Sequence, residues 1–193
     1  MSEKNEAAPL RFDGYAPFRD WLRENQDAST GVWIVLAKKG SDQTTVTYAE
    51  ALDAALEFGW IDGQAKRIDD ATYMQRFTPR RPQSPWSSRN VEAAETMIAE
   101  GRMAPRGLAE VERARADGRW DRAYDGPAKA RPHPDFVAAL AANPEAAAFY
   151  ATLNSQNRFA IYYRVQSAKR DETRAKRIAD FVAKLERNEK FYP

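Results

Sequence analysis

The chain carries one uninterrupted apolar run of six residues, Val32-Trp33-Ile34-Val35-Leu36-Ala37, set between Gly31 and the pair Lys38-Lys39. Such a run is far short of the ~20 residues that a bilayer-spanning helix needs. Its β-branched and aromatic side chains suit a strand covered on both faces. Any fold this chain adopts is therefore organised around that strand. The segments on either side have to supply its partners and its cover.

Periodicity places those partners. Phe18, Trp21 and Leu22 follow helical spacing ahead of the run. After the turn Gly40-Ser41-Asp42, the string Thr47-Tyr48-Ala49-Glu50 reads as a capping box. Tyr48, Ala51, Leu52, Ala55 and Leu56 continue it as a helix, and Gly59 fits a left-handed stop. Residues 61–68 and 72–77 flank Asp69-Asp70-Ala71 and predict a β-hairpin, with Tyr73, Gln75 and Phe77 on one face and Met74 and Arg76 on the other. The stretch 79–87 holds three prolines and is a loop. Ser87 or Ser88 caps a helix to about Glu100, closed by Gly101, and a further helix spans 105–117. The remainder reads as helical, with Pro134 and Pro144 at helix starts, Asn143 and Ser155 as caps, and Ile178, Val182 and Leu185 on the last helix.

The expected fold class is α+β: a small, mainly antiparallel sheet (about 32–38, 61–68 and 72–78) packed with helices, followed by a helical C-terminal half. Trp33, Phe58, Trp60, Tyr73 and Phe77 are expected in its core. The expected organisation is a disordered tail over 1–14, an α+β region over 15–120, a linker over 121–133 and a helical region over 134–193. The last region either shares the first core or stands apart.

Composition removes several function classes. Without cysteine there is no disulfide scaffold, zinc ribbon, iron–sulfur cluster or thiol nucleophile. The single histidine, His133, lies between two prolines and reads as an exposed linker residue, so no polyhistidine metal site is expected. No Walker-type glycine loop is present. No metal or cofactor is expected. The opening MSEKNEAAPL has no apolar stretch of the kind a secretory signal carries, so the expectation is a cytoplasmic protein without membrane insertion.

Net charge is only +2, but it is unevenly spread. Residues 1–62 hold 6 Lys/Arg against 11 Asp/Glu, and the rest hold 24 against 17. Either these are two ordinary solvated surfaces, or the basic part faces an anion.

Three places have residues suited to chemistry. Asp62 lies in the turn Gly59-Trp60-Ile61-Asp62-Gly63-Gln64, where it either bonds local N–H groups or serves as a base or ligand for a hydroxyl. The loop Arg76–Asn90 brings Arg76, Arg80, Arg81, Ser84, Trp86, Ser87 and Asn90 close in sequence. Guanidinium forks bind phosphate or carboxylate and an exposed Trp ring stacks on a ligand; the alternative is arginines paired with the acidic N-terminal part. On the last helix Arg170, Arg177 and Lys184 recur every seven residues, with Arg174 alongside. That stripe suits a phosphate backbone or an acidic protein, unless it is a plain solvated face.

Several strings resemble one family. They are Ala51 to Gln64, Arg76-Phe77-Thr78-Pro79-Arg80-Arg81, Ser84-Pro85-Trp86-Ser87 with Asn90, Gly101-Arg102-Met103, Gly118-Arg119-Trp120, Ser167-Ala168-Lys169-Arg170 and Thr173 to Ile178. Together, over about 15–187, the chain resembles the YdeI/OmpD-associated, bacteriocin-protection proteins. The resemblance implies an accessory role in stress or resistance and carries over no catalytic residue. Three expectations result. The first is a non-catalytic protein that binds an anionic small molecule or an acidic protein through the arginine-rich loop. The second is a nucleic-acid binder, and the third an enzyme with Asp62 as base and Arg80 as anion holder.

Overall fold

The computed structural model describes residues 8–193, so the first part of the expected N-terminal tail, residues 1–7, lies outside the described residues. The chain divides into two compact units. One is formed by the residues up to Trp86 and Asn90–Arg122, the other by Ser87–Arg89 and Ala123–Pro193.

The first unit holds an open four-stranded sheet in the order β1-β2-β4-β3, made of β1 (Leu10–Arg11), β2 (Val32–Ala37), β3 (Trp60–Arg67) and β4 (Thr72–Pro79). The apolar run is the inner strand β2. It pairs antiparallel with β4, Val32 opposite Phe77 and Ala37 opposite Thr72. The hairpin β3–β4 forms as its pattern predicts, with a bulge between Asp62 and Ala65. Asp69 fixes its turn by accepting from the main-chain N–H groups of Ala71 (2.8 Å) and Thr72 (2.6 Å). Those bonds hold its carboxyl below the ordinary aspartate range. β1 adds a short parallel edge, Leu10 opposite Ile34, that periodicity did not reveal.

Helices α1 (Tyr15–Asn25) and α2 (Tyr48–Glu57) cover one sheet face. Phe18, Leu22, Ala51, Ala54 and Ala55 meet Val32, Ile34, Leu36, Phe58, Trp60 and Phe77 in one core, with Tyr73 at its margin. The capping box is complete: Glu50 N donates to Thr47 Oγ1 at 3.2 Å, and Thr47 N donates to the Glu50 carboxylate at 2.8 Å. Trp33 is buried as expected, 4% exposed, on the opposite face of the strand from that cluster. Strand alternation turns it away from Val32, Ile34 and Leu36. Its ring lies beneath Lys66 Nζ (4.5 Å) and the Arg76 guanidinium (5.6 Å).

Two further helices follow the sheet, α3 (Ser88–Ala99) and α4 (Pro105–Ala116). The end of α2 ties α4 to the core. Glu57 is a buried carboxylate whose two oxygens accept from the bidentate guanidinium of Arg19 (2.8 and 2.6 Å), and its carbonyl accepts from Ala104 N at 3.2 Å. Gly107 on α4 stands directly against that carbonyl.

The second unit is helical: α5 (Pro134–Ala141), α6 (Pro144–Thr152), α7 (Ser155–Gln166) and α8 (Asp171–Glu186). Phe136, Leu140, Ile161, Val165, Ile178 and Phe181 form its core. Asn143 caps α6 as expected, accepting from Ala146 N at 3.0 Å. The cap of α7 is Asn154, not Ser155; its side chain accepts from Asn157 N at 2.9 Å, leaving Ser155 as the first helical residue. His133 is more than a linker residue: its imidazole Nδ1 accepts from Asp135 N at 3.2 Å and caps α5. The fold is thus α+β, with its strands in the first unit and only helices in the C-terminal half.

A β-carbon at position 107 would collide with the Glu57 carbonyl, a backbone atom that cannot turn aside. Gly107→Ala is expected to lower stability by about 2 kcal/mol or more, as overpacking does. Urea denaturation followed by tryptophan fluorescence measures this; an unchanged midpoint would show that α4 does not depend on this approach.

Candidate functional site

The structure distributes the sequence-derived site residues over separate surroundings. Arg80 is only 5% exposed. Its guanidinium lies 3.8 Å over the Trp86 ring and donates to Pro85 O at 3.1 Å, while its main-chain N–H donates to Gly59 O at 3.0 Å. Trp86, expected as an exposed stacking ring, is 2% exposed and packs 4.8 Å from Trp120. A loop that leaves a sheet has no ladder bonds, and this one takes its order from burying that tryptophan. Arg119 closes the arrangement by donating to Ser84 O at 2.7 Å. Ser84 in turn accepts from Arg81 N at 3.0 Å, which leaves the Arg81 side chain at the surface.

The others lie elsewhere. Arg76 is on the sheet over Trp33. Asp62 accepts from Tyr48 OH of α2 at 2.9 Å. Asn90 is buried in the first unit, whereas Ser87 falls in the second, bridged to Tyr124. Of the two groups that the enzyme reading joins, Asp62 bonds Tyr48 of α2 and Arg80 lies over Trp86.

The basic stripe of α8 is largely engaged within its own unit. Arg174 pairs with Asp171 (2.6 Å) and donates to Ala168 O (3.3 Å). Arg177 donates to Arg164 O and Ser167 Oγ. Lys184 lies 5.3 Å over the Phe191 ring. Arg170 is exposed at the helix start.

The concave feature with convergent chemistry is one that sequence reading passed over. In the second unit a cavity of about 620 Å³ is lined by Pro127, Gln156, Phe159, Tyr163, Arg164 and Tyr192. A second, of about 480 Å³, shares Pro127, Ser155 and Phe159 with it and extends to Tyr150, Arg158 and Tyr162. Phe159 lines both hollows. Helix α7 builds both because Ser155, Phe159 and Tyr163, four apart, share one side. Tyr124 supports the wall edge-on to Tyr163 at 5.0 Å.

Two arginines bound this cleft. Arg164 donates to Ala160 O at 3.1 Å and lies over Phe191. Arg158 donates to Ala151 O at 2.7 Å and lies near the Tyr150 ring. Burial pushes the Tyr150 phenol above its ordinary range.

One buried residue holds the C-terminal wall in place. Asn157 has 0% exposure, and its side-chain oxygen accepts from Phe191 N and Tyr192 N, both at 3.0 Å. Its amide donates to Asn154 Oδ1 (2.9 Å) and Tyr192 O (3.3 Å). The sequence did carry a trace of the cleft. Phe159, Ile161, Tyr162, Tyr163 and Val165 put apolar groups around more of α7 than one packed face uses.

Comparison with known families divides the chain in a similar way. Residues 10–110, more than half of the 193, match the model of a Domain of unknown function (DUF8412), and the chain belongs to that family. Residues 130–188 match a family described as Bacteriocin-protection, YdeI or OmpD-Associated, which supports the resemblance read from the sequence. That match spans α5 to α8 and includes the arginines and most of the aromatic lining of the cleft. No curated protein and no solved structure matches. Among the described residues no helix is long and apolar enough to cross a membrane, and no group of three acidic, His or Cys side chains is arranged to hold a metal ion.

Replacing Asn157 by Ala removes the side-chain acceptor from the part-buried N–H groups of Phe191 and Tyr192, each hydrogen bond worth about 0.5–1.5 kcal/mol. Asn157→Ala is expected to destabilise the second unit by about 1–3 kcal/mol on that basis and, by loosening the segment that follows α8, to speed tryptic cleavage at the already exposed Lys190. Equal rates of tail cleavage in variant and parent would show that Asn157 does not hold this wall.

Proposed function

We propose that this chain is a non-catalytic, cytoplasmic accessory protein of stress or resistance, and that its ligand seat is the aromatic cleft of the YdeI/OmpD-associated unit. The observation that carries this reading is that Phe159, Tyr163 and Tyr192 line one cavity together with Arg164. Rings accept a flat or apolar body. A guanidinium fork accepts carboxylate or phosphate. The hydroxyl of Ser155 and the amide of Gln156 supply orientation rather than proton transfer. The ligand class is therefore an organic anion with an aromatic or apolar body.

The protective role comes from the description of the matched family and is carried to this chain as part of the proposal. A second reading keeps the anion at the loop of the first unit. It is favoured by the exposure of Arg81 beside the Ser84 turn.

A thermal-shift comparison separates the two. Phenyl phosphate, benzoate and indole carboxylates are expected to stabilise the protein, by about 2.7 kcal/mol at one hundred times the dissociation constant. Ring-free sugar phosphates are expected to act weakly. Arg164→Gln should abolish the effect and Arg81→Gln should leave it. Loss in Arg81→Gln with retention in Arg164→Gln would move the seat to the loop. Equal stabilisation by ring-free anions would remove the role of the aromatic walls.

A further inference from the structure

Phe159 lines two hollows, and each hollow has an arginine of α7 among its lining residues. Arg164 belongs to one and Arg158 to the other. Among the described residues no carboxylate lines either hollow, and both guanidiniums make their hydrogen bonds to main-chain carbonyls, not to acids. Helix geometry puts the two α-carbons ~10 Å apart, with side chains diverging around the axis. A single small anion is too short to reach both.

Rings and prolines are prominent in the lining: Pro127 and Phe159 are shared together with Ser155, Tyr163 belongs to one hollow, and Pro132 and Tyr150 belong to the other. Grooves walled by aromatic rings suit extended, proline-bearing chains, whose backbone is already ordered before docking.

Resting on the reading that this cleft is the ligand seat, we infer that it takes an extended acidic segment of a partner protein. That segment lays a proline or apolar residue over Phe159 and gives one carboxylate to Arg158 and another to Arg164. An extended chain advances about 3.1–3.4 Å per residue, so the two acidic positions lie about three to five residues apart. The occupant is fixed by charge complementarity: two cations, no competing acid among the described lining residues, and rings and prolines alongside.

The test is fluorescence anisotropy with labelled peptides of the pattern Glu-Pro-Ala-Pro-Glu against the full chain. The same peptide with both glutamates changed to glutamine serves as control, and phenyl phosphate is titrated in parallel. The acidic peptide is expected to bind at least tenfold more tightly than the glutamine form, and to weaken with added salt. Arg158→Gln and Arg164→Gln should each cost several-fold. Because the glutamine peptide is compared on the unaltered protein, the result stands even where a variant unfolds. Equal binding of both peptides, or no binding of either while phenyl phosphate still binds, overturns the peptide inference and leaves the cleft as a small-molecule seat. If phenyl phosphate and both peptides all fail to bind, the inference and the reading of the cleft fail together.

Discussion

Burial of the Arg80 guanidinium over the Trp86 ring is the constraint that orders the loop of the first unit and takes its arginine and tryptophan out of reach of solvent. A charge taken out of water is costly unless its surroundings compensate. Here the compensation includes a ring face and a carbonyl of the same loop. A desolvated cation–π contact contributes about 2 kcal/mol or more, enough to specify how a loop with three prolines leaves the sheet. Trp86 then seats Trp120, and Arg119 returns to Ser84. The arginine and tryptophan that look most like a binding pair in the sequence serve as the fastening of the first unit.

The second unit uses polar burial differently. Asn157 is placed so that an asparagine side chain, which both donates and accepts, orders a stretch of main chain outside any helix. That stretch contributes Tyr192 to the cleft, and Phe191 to the core side beneath Arg164 and Lys184. Packing and recognition therefore share side chains. Arg164 is fixed by Ala160 and Phe191 while still facing a cavity, which lowers the entropic cost of using it on a ligand.

Legibility in the sequence followed the range of the interaction. The strand Val32–Ala37, the hairpin around Asp69, the capping box at Thr47 and the proline-led helices all rest on neighbours a few residues away, and all could be read. The pairing of Leu10 with Ile34 could not, because two residues carry no period. The face on which Trp33 lies was missed because a continuous apolar run has no alternation to orient it. Among the candidate site residues, sequence proximity suggested one loop surface. The fold instead sends Arg76 to Trp33, Arg80 to Trp86 and Ser87 to Tyr124. Exposure is set by the tertiary partner, and for Arg80 that partner is a tryptophan six residues on, whose own burial depends on Trp120.

The claim that the ligand seat lies around Phe159 is tested most directly by following backbone amide resonances of the labelled protein as phenyl phosphate is added. The account predicts shifts concentrated on Ser155 to Arg164 and on Tyr192, with residues 76–90 unmoved. Shifts confined to Arg81 and Ser84, or a spectrum that stays unchanged to saturating concentrations, would contradict it.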